Sequence, residues 1–150
     1  MANFIETFQN RLKPSSKLDI VTLSACFLAF HQADYQVIPE KLSNYQFKDS
    51  LYKINAKTIL IRSYYKLFES DDSYGDMIIY SCNAFEKFVK REPTLNTQKK
   101  EPYLNFSFLL KKIVHHKQNR LKMNEPDFSF MLNNFTGVFA KGWLQEVIEA

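Results

Sequence analysis

Metal or nucleophilic chemistry in this 150-residue chain would have to draw on Cys26, His31, Cys82, His115 and His116. Cys26 and His31 are five residues apart, which on a helix points them to different faces. No C-x-x-C or H-E-x-x-H spacing occurs, so no closed ligand set is expected. His115 and His116 are adjacent and project about 100° apart on a helix, too divergent to share an ion. Both cysteines are expected to be small apolar core residues.

Carboxylates cluster as Glu69, Asp71, Asp72 and Asp76 around Gly75. A calcium loop needs alternating acids, and here Asp71 and Asp72 are consecutive, so helix capping explains the cluster better. The chain has no G-x-S-x-G elbow. Gly137 to Gly142 contains glycine and lysine without the order of a phosphate-binding loop. No catalytic, cofactor-binding or metal-binding residue is assigned, and a non-enzymatic protein is expected. A small enzyme with an inter-helix pocket built from His31, Asp34 or Glu69 is the third reading.

Charge carries the one functional hint in the composition. The chain totals +4, yet residues 99–122 hold seven basic side chains against Glu101 alone, a local net charge of +6. Lys111 with His115, and Lys112 with His116, stack at four-residue spacing off the Phe106/Leu110/Ile113 face. With Lys117, Arg120 and Lys122 they form a basic segment suited to an acidic partner or a nucleic-acid backbone. Sixteen Lys against four Arg weigh against specific phosphate or base readout, where the rigid Arg fork is preferred. Nucleic-acid binding is therefore the second reading. Among 14 Phe and 8 Tyr, the residues Tyr64, Tyr65, Phe128, Phe130 and Phe135 exceed what one inner face absorbs, and they are candidates for a protein interface.

The elements that position these residues are expected to be helices. Three Gly leave little material for hairpins or barrels, so the chain reads as all-α, an antiparallel bundle or short solenoid of about six to seven helices in one domain, 1–150. Helical spacing links Phe4, Ile5, Phe8 and Leu12, and Pro14 ends that helix. Ser15 to Lys17 reads as a connector and Ser16 with Asp19 as a cap pair. The next helix is apolar nearly all round and belongs at the centre of the fold. A short helix is expected over Pro39–Tyr45, then a long one over Ser50–Glu69 capped by Asp49. The β-branched run Thr58 to Ile61 makes a strand the rival there. Asp71 to Ser73 caps a helix whose inner face is Ile78, Cys82, Phe85, Phe88 and Val89. After a polar linker, Thr94–Lys100, a helix starts at Pro102, a shorter one contains Phe128, and a last one spans Val138–Ile148.

The longest apolar run, Leu18 to Phe30, is about 13 residues and includes Asp19, too short for a bilayer's about 20. The N-terminus lacks a secretory signal pattern, and two cysteines make no disulfide framework. A cytoplasmic protein without membrane partners is expected.

Asn55 to Leu67, Phe85 to Arg91, Tyr103-Leu104-Asn105-Phe106 and Trp143-Leu144 together resemble a group of bacterial α-helical-repeat, tetratricopeptide-like proteins. The resemblance covers roughly residues 50–146. It implies an α-solenoid without known catalytic residues, of which this chain would be the C-terminal portion or a short relative. A scaffold that binds another protein, or an adjoining domain of its own chain, is the first functional reading.

Overall fold

A computed structural model describes residues 14–119 and 126–150. These residues form seven α-helices and one 3₁₀ turn, with no strand among them. The all-α reading stands. The chain divides between Asp71 and Asp72 into two compact units. The helix expected over Phe4–Leu12 lies outside the described residues.

The first unit contains α1 (Pro14–His31), α2 (Val37–Ser43) and α3 (Ser50–Phe68). Pro14 opens α1, where its missing N–H would have no helical partner anyway, so Ser15–Lys17 belong to the helix and are not a connector. Asp19 is correspondingly no cap partner. Its side chain is fully buried, and its carboxylate accepts hydrogen bonds from the Tyr45 hydroxyl, from Lys48 N (3.0 Å) and from Asp49 N (3.0 Å). Asp49 then caps α3 as expected, its Oδ1 accepting from Leu51 N (2.8 Å) and Tyr52 N (3.4 Å).

Because α2 carries the chain back, α1 and α3 run side by side in the same direction. Asp19 meets the start of α3, Cys26 and Ala29 pack with Ile38 and Ile59, and Arg62 lies 4.8 Å from the Phe30 ring centre. The β-branched run is accommodated in the helix, with its polar groups satisfied locally. Thr58 Oγ1 donates to Asn55 O (2.8 Å) and Ser63 Oγ to Leu60 O (2.7 Å), so these hydroxyls bond back to the helix. α3, buried along Ile54, Thr58, Ile61, Tyr65 and Phe68 and also at Ile59 and Ser63, occupies the interior place expected of α1. Among the described side chains of α1, Asp19, Leu23, Cys26 and Ala29 are buried, while Leu18 is 65% exposed.

α1 stops without glycine. Ala33 N donates to Phe30 O (3.1 Å) and Asp34 N to Ala29 O (2.8 Å), the pair of bonds that closes a helix through a left-handed residue. That residue is Ala33, at φ 58°.

The second unit contains the 3₁₀ turn Asp72–Tyr74, α4 (Gly75–Arg91), α5 (Thr97–Gln118), α6 (Phe128–Asn134) and α7 (Lys141–Glu149). The acids expected to cap α4 are taken up partly by the 3₁₀ turn, and Asp76 sits in the first turn, where the helix dipole favours it. α5 begins five residues earlier than expected, because Asn96 Oδ1 accepts from Lys99 N (2.8 Å). Pro102 is therefore inside the helix, and its carbonyl accepts from Phe139 N (3.0 Å).

α4 and α5 are antiparallel. Gln118 reaches Asp76 (3.2 Å), Ser107 Oγ donates to Cys82 O (3.3 Å) and Lys100 Nζ to Lys90 O (2.7 Å). Ile78, Cys82, Phe85 and Val89 form the inner face as expected, and Phe88 is half-buried. Phe139 inserts its ring 5.2 Å from Tyr103 and 5.6 Å from Phe106, fastening the segment before α7 to α5. α7 starts at Lys141, not Val138, after Ala140 in the left-handed region. Leu144 is fully buried.

Two outcomes follow. Ala33→Gly removes a Cβ from a left-handed position and raises stability by about 1 kcal/mol in denaturant unfolding. Burial, then the hydrogen bond and the charge of Asp19, push the Tyr45 phenol from 10.0 up to about 12. A raised folded-state pKa means that this contribution is complete below about pH 10 and is lost as pH climbs through about 12. The stability difference between wild type and Tyr45→Phe should therefore be flat at neutral pH and shrink over that alkaline window.

Candidate functional site

Lys111, Lys112, His115, His116 and Lys117 lie on the C-terminal half of α5, but the structure divides them. Lys111 belongs to the α4–α5 contact. Its Nζ is 3.0 Å from both Glu86 carboxylate oxygens and 3.0 Å from Asn83 Oδ1. The side chains of Lys111 and Glu86 are only 23% and 19% exposed, so this ammonium is neutralised inside a helix pair. His116 turns its ring edge-on to Phe128 of α6, 5.7 Å between centres, and serves packing. Its Nδ1 is buried and has no hydrogen-bond partner among the described residues. Lys112 and His115 are exposed and Lys117 is half-buried. Arg120 and Lys122 lie outside the described residues.

The tyrosines are in the other unit. Tyr65 is 1% exposed, 5.9 Å from the Phe68 ring, and Tyr64 is half-buried. Tyr65 therefore fills the core. Of the remaining surplus aromatics, Phe128 is buried, Phe130 is 64% exposed and Phe135 is half-buried.

What the second unit does assemble is a groove of about 490 Å³ between α4, α5 and Phe135. Leu104, Phe108 and Phe135 give it an apolar lining, and Glu86, Lys90 and Lys111 a charged wall. Phe108 is 45% exposed yet fixed on two sides. Phe135 meets it edge-on at 6.4 Å between centres, and Lys112 Nζ sits 4.9 Å over its ring. Asn105 Nδ2 donates to Gly137 O (2.8 Å), tying the segment that carries Phe135 to α5. Since Glu86 and Lys111 cancel, the charge left at the groove comes from exposed Lys90 and Lys112. It is positive.

Neither a protein-family model, nor a curated protein, nor a solved structure matches this chain.

The sequence reading missed Glu86, Lys90, Asn105 and Phe108 as groove residues. Asn83, Glu86 and Lys90 do form a row at three- and four-residue spacing, but periodicity alone does not say which neighbour a row faces. Elsewhere, His31, Asp34 and Glu69 are exposed, and Glu69 pairs with Lys66 at 2.7 Å. Burial pushes the Cys26 thiol up and the Cys82 thiol up to about 12, keeping both protonated. Among the described residues no three His, Cys, Asp or Glu side chains gather as a metal site, and no helix is long and apolar enough to cross a membrane.

The Lys111–Glu86 contact is testable by a double-mutant cycle. Lys111→Met and Glu86→Gln should show a coupling of about 1 kcal/mol in urea unfolding, reduced at high salt. A coupling near zero would return Lys111 to the basic surface.

Proposed function

We propose that the chain is a non-enzymatic helical scaffold whose second unit holds an acidic segment of a partner protein, or of an adjoining domain of its own chain. The observation that carries this reading is Phe108. A large aromatic side chain, 45% exposed, is held in one orientation by Phe135 and Lys112 at the mouth of a groove. A rigid aromatic loses little conformational freedom on binding, and covering it returns about 25 cal/mol per Å² of apolar surface. Lys90 and Lys112 flank it and select carboxylates. The segment that fits combines an apolar anchor, seated against Phe108 and Phe135, with acidic neighbours.

The antiparallel α4–α5 pair supports the tetratricopeptide-like reading, since such pairs are the unit from which helical-repeat scaffolds are stacked. Nucleic-acid binding has less support. Lys111 is neutralised by Glu86 and His116 is packed on Phe128, which leaves fewer cations on α5 than the composition promised. A cytoplasmic setting agrees with two buried, protonated thiols.

The test is fluorescence anisotropy with a labelled peptide of alternating Glu and Leu, a matched Lys-Leu peptide, and a single-stranded oligonucleotide. The Glu-Leu peptide should bind, and Phe108→Ala and Lys90→Glu should each weaken it about tenfold. Binding that ignores both substitutions, or no binding, overturns the reading. Oligonucleotide affinity that falls steeply between about 50 and 200 mM salt would transfer the function to nucleic acid.

A further inference from the structure

Ile78, Cys82, Phe85 and Val89 turn the inner face of α4 into the core of the second unit. On the opposite side Met77, Tyr80, Ala84, Lys87 and Arg91 follow at i, i+3, i+7, i+10 and i+14. A turn of 100° per residue gathers these five within about 80° of the helix circumference. All five are exposed. Tyr80 is 75% exposed, more than any other large apolar side chain among the described residues, and Met77 is 45% exposed. A single exposed apolar side chain is ordinary, but two on consecutive turns of one row make a patch.

Charge is laid out along the same row. Asp76 stands beside Met77 in the first turn, and Lys87 and Arg91 lie toward the other end. An acid at the start of a helix and bases at its end suit the helix dipole, so that order alone identifies no partner. These charges, however, have little use within the chain. Asp76 accepts from the uncharged amide of Gln118 (3.2 Å), which leaves its charge uncompensated, and neither Lys87 nor Arg91 forms an ion pair among the described residues.

An acid at one end, bases at the other, apolar anchors and a small residue near the middle make this face complementary to itself in one orientation. Two copies of α4 side by side in parallel would set Asp76 against Asp76 and Arg91 against Arg91. Laid antiparallel with Ala84 on the axis, Met77 and Asp76 come opposite Arg91, and Tyr80 comes opposite Lys87. Within one chain Asp76 and Arg91 are about 22 Å apart along α4, so a single copy cannot close this pair.

We propose that the outer face of α4 binds a second copy of this chain in a twofold-symmetric, antiparallel pair centred on Ala84. Asp76 of each copy pairs with Arg91 of the other, and the Tyr80 ring of each lies against Lys87 of the other. Ala84, with its small side chain, lets the two helices approach. One helix face is smaller than a standard protein interface, so the pair is reversible and forms at micromolar concentrations or above. The pairing does not depend on the acidic-segment reading of the α4–α5 groove.

The test is sedimentation velocity on the full chain, with circular dichroism on every variant to report the retained fold. Over about 1–300 µM the mean mass should rise from one copy toward two and no further. Tyr80→Ala should weaken the pair at least about tenfold. Asp76→Arg and Arg91→Asp should each stay single, because like charges then meet at both ends. Mixed in equal amounts the two variants should pair again, since every junction of the mixed dimer joins unlike charges. Under mild oxidation Ala84→Cys should cross-link to itself, whereas Met77→Cys, about 21 Å from its counterpart, should not. The native Cys26 and Cys82 are fully buried and do not compete. A wild-type chain that stays single at 300 µM, a mass beyond two copies, folded charge variants that do not pair on mixing, or self-linking of Met77→Cys in place of Ala84→Cys would each overturn the proposal.

Discussion

The carboxylate of Asp19 sits where water cannot reach it and gathers three donors from a segment nearly thirty residues further along the chain. A buried charge is tolerated only when its lone pairs are occupied, and stranding any one of those donors costs about 1–3 kcal/mol. Several features of the first unit follow from this one requirement. The segment before α3 must pass beside α1, and Asp49, held by its own N–H, is in place to cap α3. The parallel course of α1 and α3 is the geometric consequence, with α2 as the short return.

The second unit is organised differently, by packing. Cys82 and Ser107 are fully buried where α4 meets α5, and small side chains there let the two helices approach. From that seam the rings of Phe85, Tyr103, Phe139, Phe106 and Trp143 run in a chain of contacts 5.2 to 6.2 Å between centres. Edge-on and tilted ring pairs add about 0.5–1.5 kcal/mol beyond the area they bury. This chain joins α7 to the hairpin and sets the course of the segment bearing Phe135. The groove is a by-product of that packing. Phe108 points away from the ring cluster, and α6 ends before covering it.

Scarcity of glycine shapes both units. α1 closes through a left-handed residue, and with no glycine there alanine fills that role at Ala33, while Ala140 takes the same conformation just before α7 begins. Neither position carries a local mark in the sequence, which is why the end of α1 and the start of α7 were not legible there. Asn96 capping α5 was missed for a different reason. Pro102 is the stronger textual signal, and a proline only a turn and a half into a helix loses a single backbone bond.

Glycine scarcity and apolar spacing determined that the chain is helical and which residues of α4 and α5 turn inward, and a capping side chain that Asp49 starts α3, because these depend on the 3.6-residue repeat and on bonds within a few residues. Tertiary structure decided what each charge does. Asp19 became a buried organiser in place of a cap, Lys111 a neutralised link between helices, Tyr65 a core residue, and Lys90 with Phe108 the face of a groove. Solvation and pairing set those roles, and both depend on neighbours distant in the chain, which periodicity does not encode.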